Sequence, residues 1–376
     1  MRKNSDGEDP CRKLTRALYC EPMSVTFPRV LNLLLAVGVA SSCGDALVAS
    51  DGGGDAAPTT DGGASDANVP DGSAPDAPTG DAGSFGDHAF WFAFHACNSK
   101  TTNCGDPQNH RVYLSTTNDF STFSVLPNWG LQGSVPDVVR RGNTVYVYVP
   151  GRVIRLRAGA AAPEAAASVK VVDLSLGWVD PSLTVDSNGR LVMFLMRGGG
   201  PGSGDPATCP QGETSCTKQF DSATEVDGSD GTEFKLDTGD RVSMTITPGG
   251  GGSFPGASDP DVFFDGKYNM YISHGSNLSL WQSTDLRGTY TQLKATPSDY
   301  ISQSGGIGAG HFDTKTNKYW TFVHVNEGKT AVIKRAIHDG LTTTIPTSSW
   351  STILTGTTAG LGADFNVESP SLAENK

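Results

Sequence analysis

The chain is predicted to be all-β: a ring of five sheets closed by pairing of the C-terminal strand with the N-terminal strands, preceded by a signal peptide and a disordered linker. Three observations predict this. Gly (46) and Pro (22) are abundant in the 376 residues and long helical periodicity is absent. A short phrase recurs at strand starts: SVPDVV at 134–139, WVDPSLTVD at 178–186, SDPDVFFDG at 258–266 and VESPSL at 367–372. After the first three copies come a turn and a second strand, GNTVYVYV, NGRLVMFLM and GKYNMYISHG. Self-similarity of this kind marks a repeated supersecondary unit. Sheets that cannot bury their faces alone stack into a ring, a β-propeller, and the ring gathers the start of every innermost strand at one axial mouth.

Taken in chain order, residues 1–42 read as an export signal. Arg29 precedes an apolar run over 30–40, which suits a signal core and is too short to span a bilayer. Met23 is a candidate true start. Ala40-Ser41-Ser42 before Cys43 resembles a bacterial lipobox, in which the Cys is lipidated and becomes the mature N-terminus. Gly44 after it suggests, by resemblance to enteric sorting, the outer membrane. Residues 43–86 hold the lipidated Cys and a Gly/Ala/Asp/Pro tract. From Gly44 to Gly86 there are eight Asp and no Lys or Arg, so the tract is expected to be a disordered, self-repelling spacer. The propeller is assigned to residues 87–376.

One blade is expected from about Ser134 to Asp173, another from Trp178 to Thr247 and a third from Ser258 to Leu293. A fourth starts at the divergent GGIGAGHFD (305–313). The fifth is split: the strand in VESPSLAENK at the C-terminus completes HAFWFAFHA and HRVYLSTT, so the first and last blades leave no open edge. The segments 116–126 and 282–293 occupy equivalent outer-edge places in different repeats. The stretches 158–168 and 198–240 read as excursions. Four cysteines follow the linker, and Cys97/Cys104 and Cys209/Cys216 are expected as two local disulfides of an oxidising compartment. No metal-ligand spacing is present.

Three acids would converge on the mouth: Asp180-Pro181, Asp259-Pro260 and Glu368-Ser369-Pro370. Asp-Pro before an apolar strand, an Asp/Asn-Gly turn and an aromatic strand resemble the five-bladed propellers of glycoside hydrolase family 43: arabinanases, xylosidases and arabinofuranosidases. That resemblance implies Asp180 as general base, Glu368 as general acid and Asp259 as the charge that raises the acid's pKa, in an inverting hydrolysis of arabinose- or xylose-containing polysaccharide. It also likens Gly308-Ala309-Gly310-His311 to the family's Gly-Pro-Gly-His, which would set His311 near the axis beside an ion such as calcium; no other cofactor is implied. Trp178 and Trp129 are candidates to stack on a sugar ring, each with core packing as the alternative. Asp137 takes the place next to the proline where Val135 has replaced an acid.

Two further inferences concern partners. A net charge of −12 argues against nucleic acid. A closed ring needs no partner subunit, so a monomer touching membrane only through its lipid is expected. The competing reading is a non-catalytic propeller binding glycan or protein, favoured by Val135 and by the acid-free start of the fourth blade.

Overall fold

A computed structural model describes residues 85–127, 129–174, 177–198, 208–247, 254–293 and 299–376. The signal segment, Cys43 and most of the linker lie outside the described residues.

Five sheets, antiparallel but for one parallel pairing in blade 2, form the blades. In blade 1, Asp137–Arg141, Thr144–Val149, Arg152–Arg157 and Ala167–Ser168 follow one another outward. Blade 2 is built on Trp178–Val185, Leu191–Arg197, Cys216–Glu225 and Glu233–Leu236. Ser258–Phe264, Tyr268–His274, Asn277–Ser283 and Thr291–Gln292 make blade 3. Gly306–Asp313, Lys318–Glu327, Thr330–His338 and Trp350–Leu354 make blade 4. Blade 5 takes its inner strand, Phe365–Glu374, from the C-terminus and adds Phe90–Asn98, Arg111–Thr117 and Ser124–Val125. The closing register runs from Phe90 opposite Glu374 to Asn98 opposite Phe365. The five inner strands touch one another in an unbroken cycle.

The blade boundaries agree with the repeat phrase, with three corrections, the first being that the stretch 198–240, read as an excursion, holds the third and fourth strands of blade 2, Cys216–Glu225 and Glu233–Leu236. Lys170–Val172, expected in blade 1, pairs parallel with Glu233–Leu236 of blade 2. The end of the Gly/Ala-rich excursion, Ala167–Ser168, is the outer strand of blade 1. Both pairings link residues distant in sequence, which local pattern does not reveal. Cys97–Cys104 and Cys209–Cys216 are disulfides with Cα separations of 5.7 and 5.5 Å.

The core is divided among the blade interfaces, as alternating side chains of twisted sheets require. Phe194, Met196 and Phe220 of blade 2 meet Val262, Met270 and Ile272 of blade 3. Phe92 and Phe94 of blade 5 meet Phe322 and Ile333 of blade 4. The glycines of the fourth inner strand answer to this packing. A Cβ at Gly306 would lie 1.8 Å from the Gly275 carbonyl oxygen, and one at Gly310 would lie 2.2 Å from the Phe263 ring. Blade 3 therefore excludes side chains there, and the repeat phrase is erased for steric reasons.

A hydrogen-bonded girdle joins the inner strands. Ser371 Oγ of blade 5 accepts from Val138 N–H of blade 1 (2.9 Å), and Asp137 Oδ2 of blade 1 accepts from Leu183 N–H of blade 2 (2.7 Å). Ser182 Oγ of blade 2 accepts from Val262 N–H of blade 3 (3.0 Å), and Asp261 Oδ2 of blade 3 accepts from Gly310 N–H of blade 4 (2.7 Å). Each time the second residue after the kink described below reaches the third residue after the kink of the next blade. At the junction of blades 4 and 5 the acceptor position is Ala309, which is buried and has no oxygen to offer. Ala309→Ser is expected to complete the girdle and stabilise the fold by about 1 kcal/mol, raising Tm by roughly 2 °C in calorimetry.

Candidate active site at the axial mouth

Each inner strand enters the ring through a residue held in the left-handed region: Val135 (φ 48°), Asp180 (55°), Asp259 (48°), Ile307 (43°) and Ser369 (53°). Register shifts mark a bulge at blades 2, 3, 4 and 5. This conformation disfavours side chains with a Cβ, and β-branched Val and Ile most. Strain of this kind persists where the surroundings over-determine it, and it clusters at functional sites. Proline follows the kinked residue in blades 1, 2, 3 and 5. Having no N–H, it leaves no donor unpaired where the bulge interrupts the ladder. The recurrent phrase is thus the signature of a five-fold kink.

Asp180 and Asp259 occupy the kink itself. Glu368 stands one residue before it, because Ser369 takes the kinked position in blade 5. The three acids consequently leave the backbone at two different places in the repeat. Asp180 Oδ2 accepts a hydrogen bond from Asp259 N–H at 3.2 Å, coupling blades 2 and 3 at the mouth. Asp259 is buried, and Ser258 Oγ donates to its Oδ2 at 2.5 Å.

Glu368 has a different environment. Its Oε2 lies 3.3 Å from His95 Nε2, and His95 Nδ1 lies 3.1 Å from the Val135 N–H. The His95 ring stacks on His110 at 4.2 Å and 11°. His110 Nε2 in turn donates to the Cys104 carbonyl at 2.8 Å, inside the loop closed by Cys97–Cys104. Burial alone would raise the Glu368 pKa. The hydrogen bond from His95, with the neighbouring charges of His95, His324 and His110, outweighs it and holds the carboxyl below its ordinary 4.5. Burial drives His95 down to about 4, so above that pH its ring is neutral and its grip on Glu368 is a hydrogen bond. The direction is opposite to that expected of a general acid poised by Asp259.

The remaining candidates are placed as follows. Asp137 is a girdle residue, accepting from Leu183 N–H and from Ser371 Oγ (2.7 Å), and it is 6 % exposed. Trp129 is buried between blades 5 and 1 among Leu114, Val147 and Val149, so it presents no face to a sugar. Trp178 is half-buried and packs against the core between blades 1 and 2. His311 lies between blades 4 and 5, with Nε2 3.5 Å from Glu374 Oε1 and its ring against Phe90 and Trp320. It sits four residues beyond the kink at Ile307. Among the described residues no group of three or more His, Cys, Asp or Glu is arranged to hold a metal. Local sequence pattern does not single out His95 or His110. The signal that finds His95 is the closing register, which sets it directly opposite Glu368.

No family model matches this chain, and no curated protein matches it. Solved structures do. The GH43 endo-arabinanase of Bacillus licheniformis is 18 % identical, covering 59 % of this chain and 77 % of its own, with a TM-score of 0.37. The endo-arabinase of Bacteroides thetaiotaomicron is 15 % identical, covering 61 % and 85 %, with a TM-score of 0.43. Zg3597, a family 117 glycoside hydrolase of the marine bacterium Zobellia galactanivorans, is 15 % identical over 48 % of this chain at a TM-score of 0.34, and the match spans 56 % of that enzyme's length. The chain is a five-bladed β-propeller, and the solved structures it is similar to include a GH43 arabinanase and a family 117 glycoside hydrolase.

Proposed function

We propose that this protein is an exported glycoside hydrolase, lipid-anchored through Cys43 to the cell envelope at the outer membrane, that cleaves arabinose- or xylose-containing polysaccharide with the carboxylates of its axial mouth. The observation that carries the reading is Glu368, an ionised carboxylate gripped by His95 beside the strained entrance of an inner strand. Hydrolysis needs one carboxylate to activate water and one carboxylic acid to protonate the leaving oxygen. The environment of Glu368 suits the first task, so the roles are exchanged relative to the sequence expectation. Glu368 takes a proton from water, water attacks the anomeric carbon, and Asp180 protonates the departing oxygen. Asp259 orients Asp180 through its N–H. The two disulfides support export, since such bonds persist in oxidising compartments.

A second reading, a propeller that binds glycan without cleaving it, is favoured by Val135, Ile307 and Ser369, which leave three of the five kinks without an acid. The deciding experiment incubates the purified protein with aryl arabinofuranosides, aryl xylosides, arabinan and xylan, and follows the anomer released by NMR. Hydrolysis with inversion is expected. Binding of the polysaccharides with no turnover of any of them selects the second reading. Because Glu368 titrates below 4.5, kcat/KM is expected to stay level down to that pH and to fall only beneath it.

A further inference from the structure

His95 is engaged at both ring nitrogens at once. The Val135 N–H can only donate, so the Nδ1 that meets it carries a lone pair. The ring proton must then be on Nε2, which faces Glu368 Oε2. Oε1 of Glu368 has no hydrogen bond to another described residue. Three further features restrain the imidazole. Cys97, two residues on in the same strand, is tied to Cys104. The His110 ring lies flat against it, and His110 is itself fixed by the Cys104 carbonyl. The Val135 amide belongs to the left-handed kink of blade 1, so the ring also ties blade 5 to that strained turn.

We propose that His95 is the positioning residue for Glu368: locked in its Nε2–H tautomer by the Val135 amide, it pins Oε2 and leaves Oε1 as the oxygen that faces water. This rests on the hydrolytic reading only for its last clause; the grip itself is independent of turnover. In the reaction the water proton passes to Oε1 as the new C–O bond forms. The glycosidic C–O bond breaks, and its oxygen takes the proton of Asp180. The titratable groups around His95 are Glu368, His110 and His324, and burial keeps His95 neutral above about pH 4.

The test uses the full chain labelled with ¹⁵N-histidine and carboxyl-¹³C-glutamate, Glu368 being assigned by its absence in Glu368→Gln. At pH 6 the His95 resonances should show a protonated Nε2 and a bare Nδ1. His95→Asn keeps an acceptor for Val135 and loses the donor to Glu368; His95→Gln restores a donor at the reach of Nε2. In His95→Asn the Glu368 midpoint should rise by roughly one pH unit. The acidic limb of kcat should follow it, and kcat should fall by about tenfold to a hundredfold with KM unchanged. His95→Gln should recover most of both. An Nδ1–H tautomer, or an unmoved Glu368 midpoint in a folded His95→Asn, overturns the proposal. If His95→Asn does not fold, the tautomer in the unaltered chain decides alone. A shifted midpoint in a chain that cleaves no glycoside supports the grip and removes the hydrolytic reading instead.

Discussion

Glu368→Gln is expected to lower kcat by about a thousandfold or more while leaving the fold intact. The amide is isosteric, and its oxygen still accepts from His95 Nε2–H, so the His95–Val135 link survives. What is lost is the ability to take a proton from water. Circular dichroism and Tm should stay close to those of the parent. A variant that hydrolyses arabinan or xylan at the parental rate would remove Glu368 from the reaction. A variant that also loses stability would mean that the carboxylate serves the blade 5 junction instead.

The second large effect concerns stability. Asp137→Ala should destabilise the propeller by about 2–4 kcal/mol at pH 4, because it leaves the Leu183 N–H and the Ser371 hydroxyl without their acceptor inside the ring. Asp137→Asn keeps an acceptor and removes the charge, and its effect depends on pH. Burial raises the Asp137 pKa from 3.8 to about 7 in the folded chain, although the bonds from Ser371 and Leu183 oppose the rise. Between those values the native state holds a proton that the unfolded state has released. This group's contribution is therefore complete below 3.8 and is lost as pH climbs to 7, on the order of 4 kcal/mol in all. His95 and His274, both lowered by burial to about 4, act in the opposite sense and add stability as pH rises from 4 towards 6.5. The parent curve mixes these terms, so the comparison with Asp137→Asn isolates one of them. The stability of the variant relative to the parent should increase steadily from pH 4 to 7 and level off above. A difference that does not change with pH would mean that Asp137 is ionised in the fold throughout.

Much of the architecture was legible because it is written in local chemistry. Proline follows the kinked residue in four blades, and alternating aromatic strands after Asp/Asn-Gly turns supply the next strands. The split blade followed from an inner strand missing at one end of the domain and present at the other. The fourth blade was harder, since Gly306 and Gly310 are dictated by Gly275 and Phe263 of a neighbour and not by their own strand. The site was less legible for a related reason. The Glu-Ser-Pro spacing already carried the one-residue offset of Glu368, but its meaning depends on which residue adopts the kink. The partnership of His95 with Glu368 spans 273 positions and exists only once the ring is closed. Trp129 looked available for a sugar because sequence reveals nothing of the valines that cover it.

The closing register has a consequence for orientation. The inner strand of blade 5 runs from Glu368 at the opening to Glu374 at the far side, and Phe90 pairs with Glu374. Phe90, where the second strand of blade 5 begins, therefore lies beside the end of the inner strand opposite Glu368.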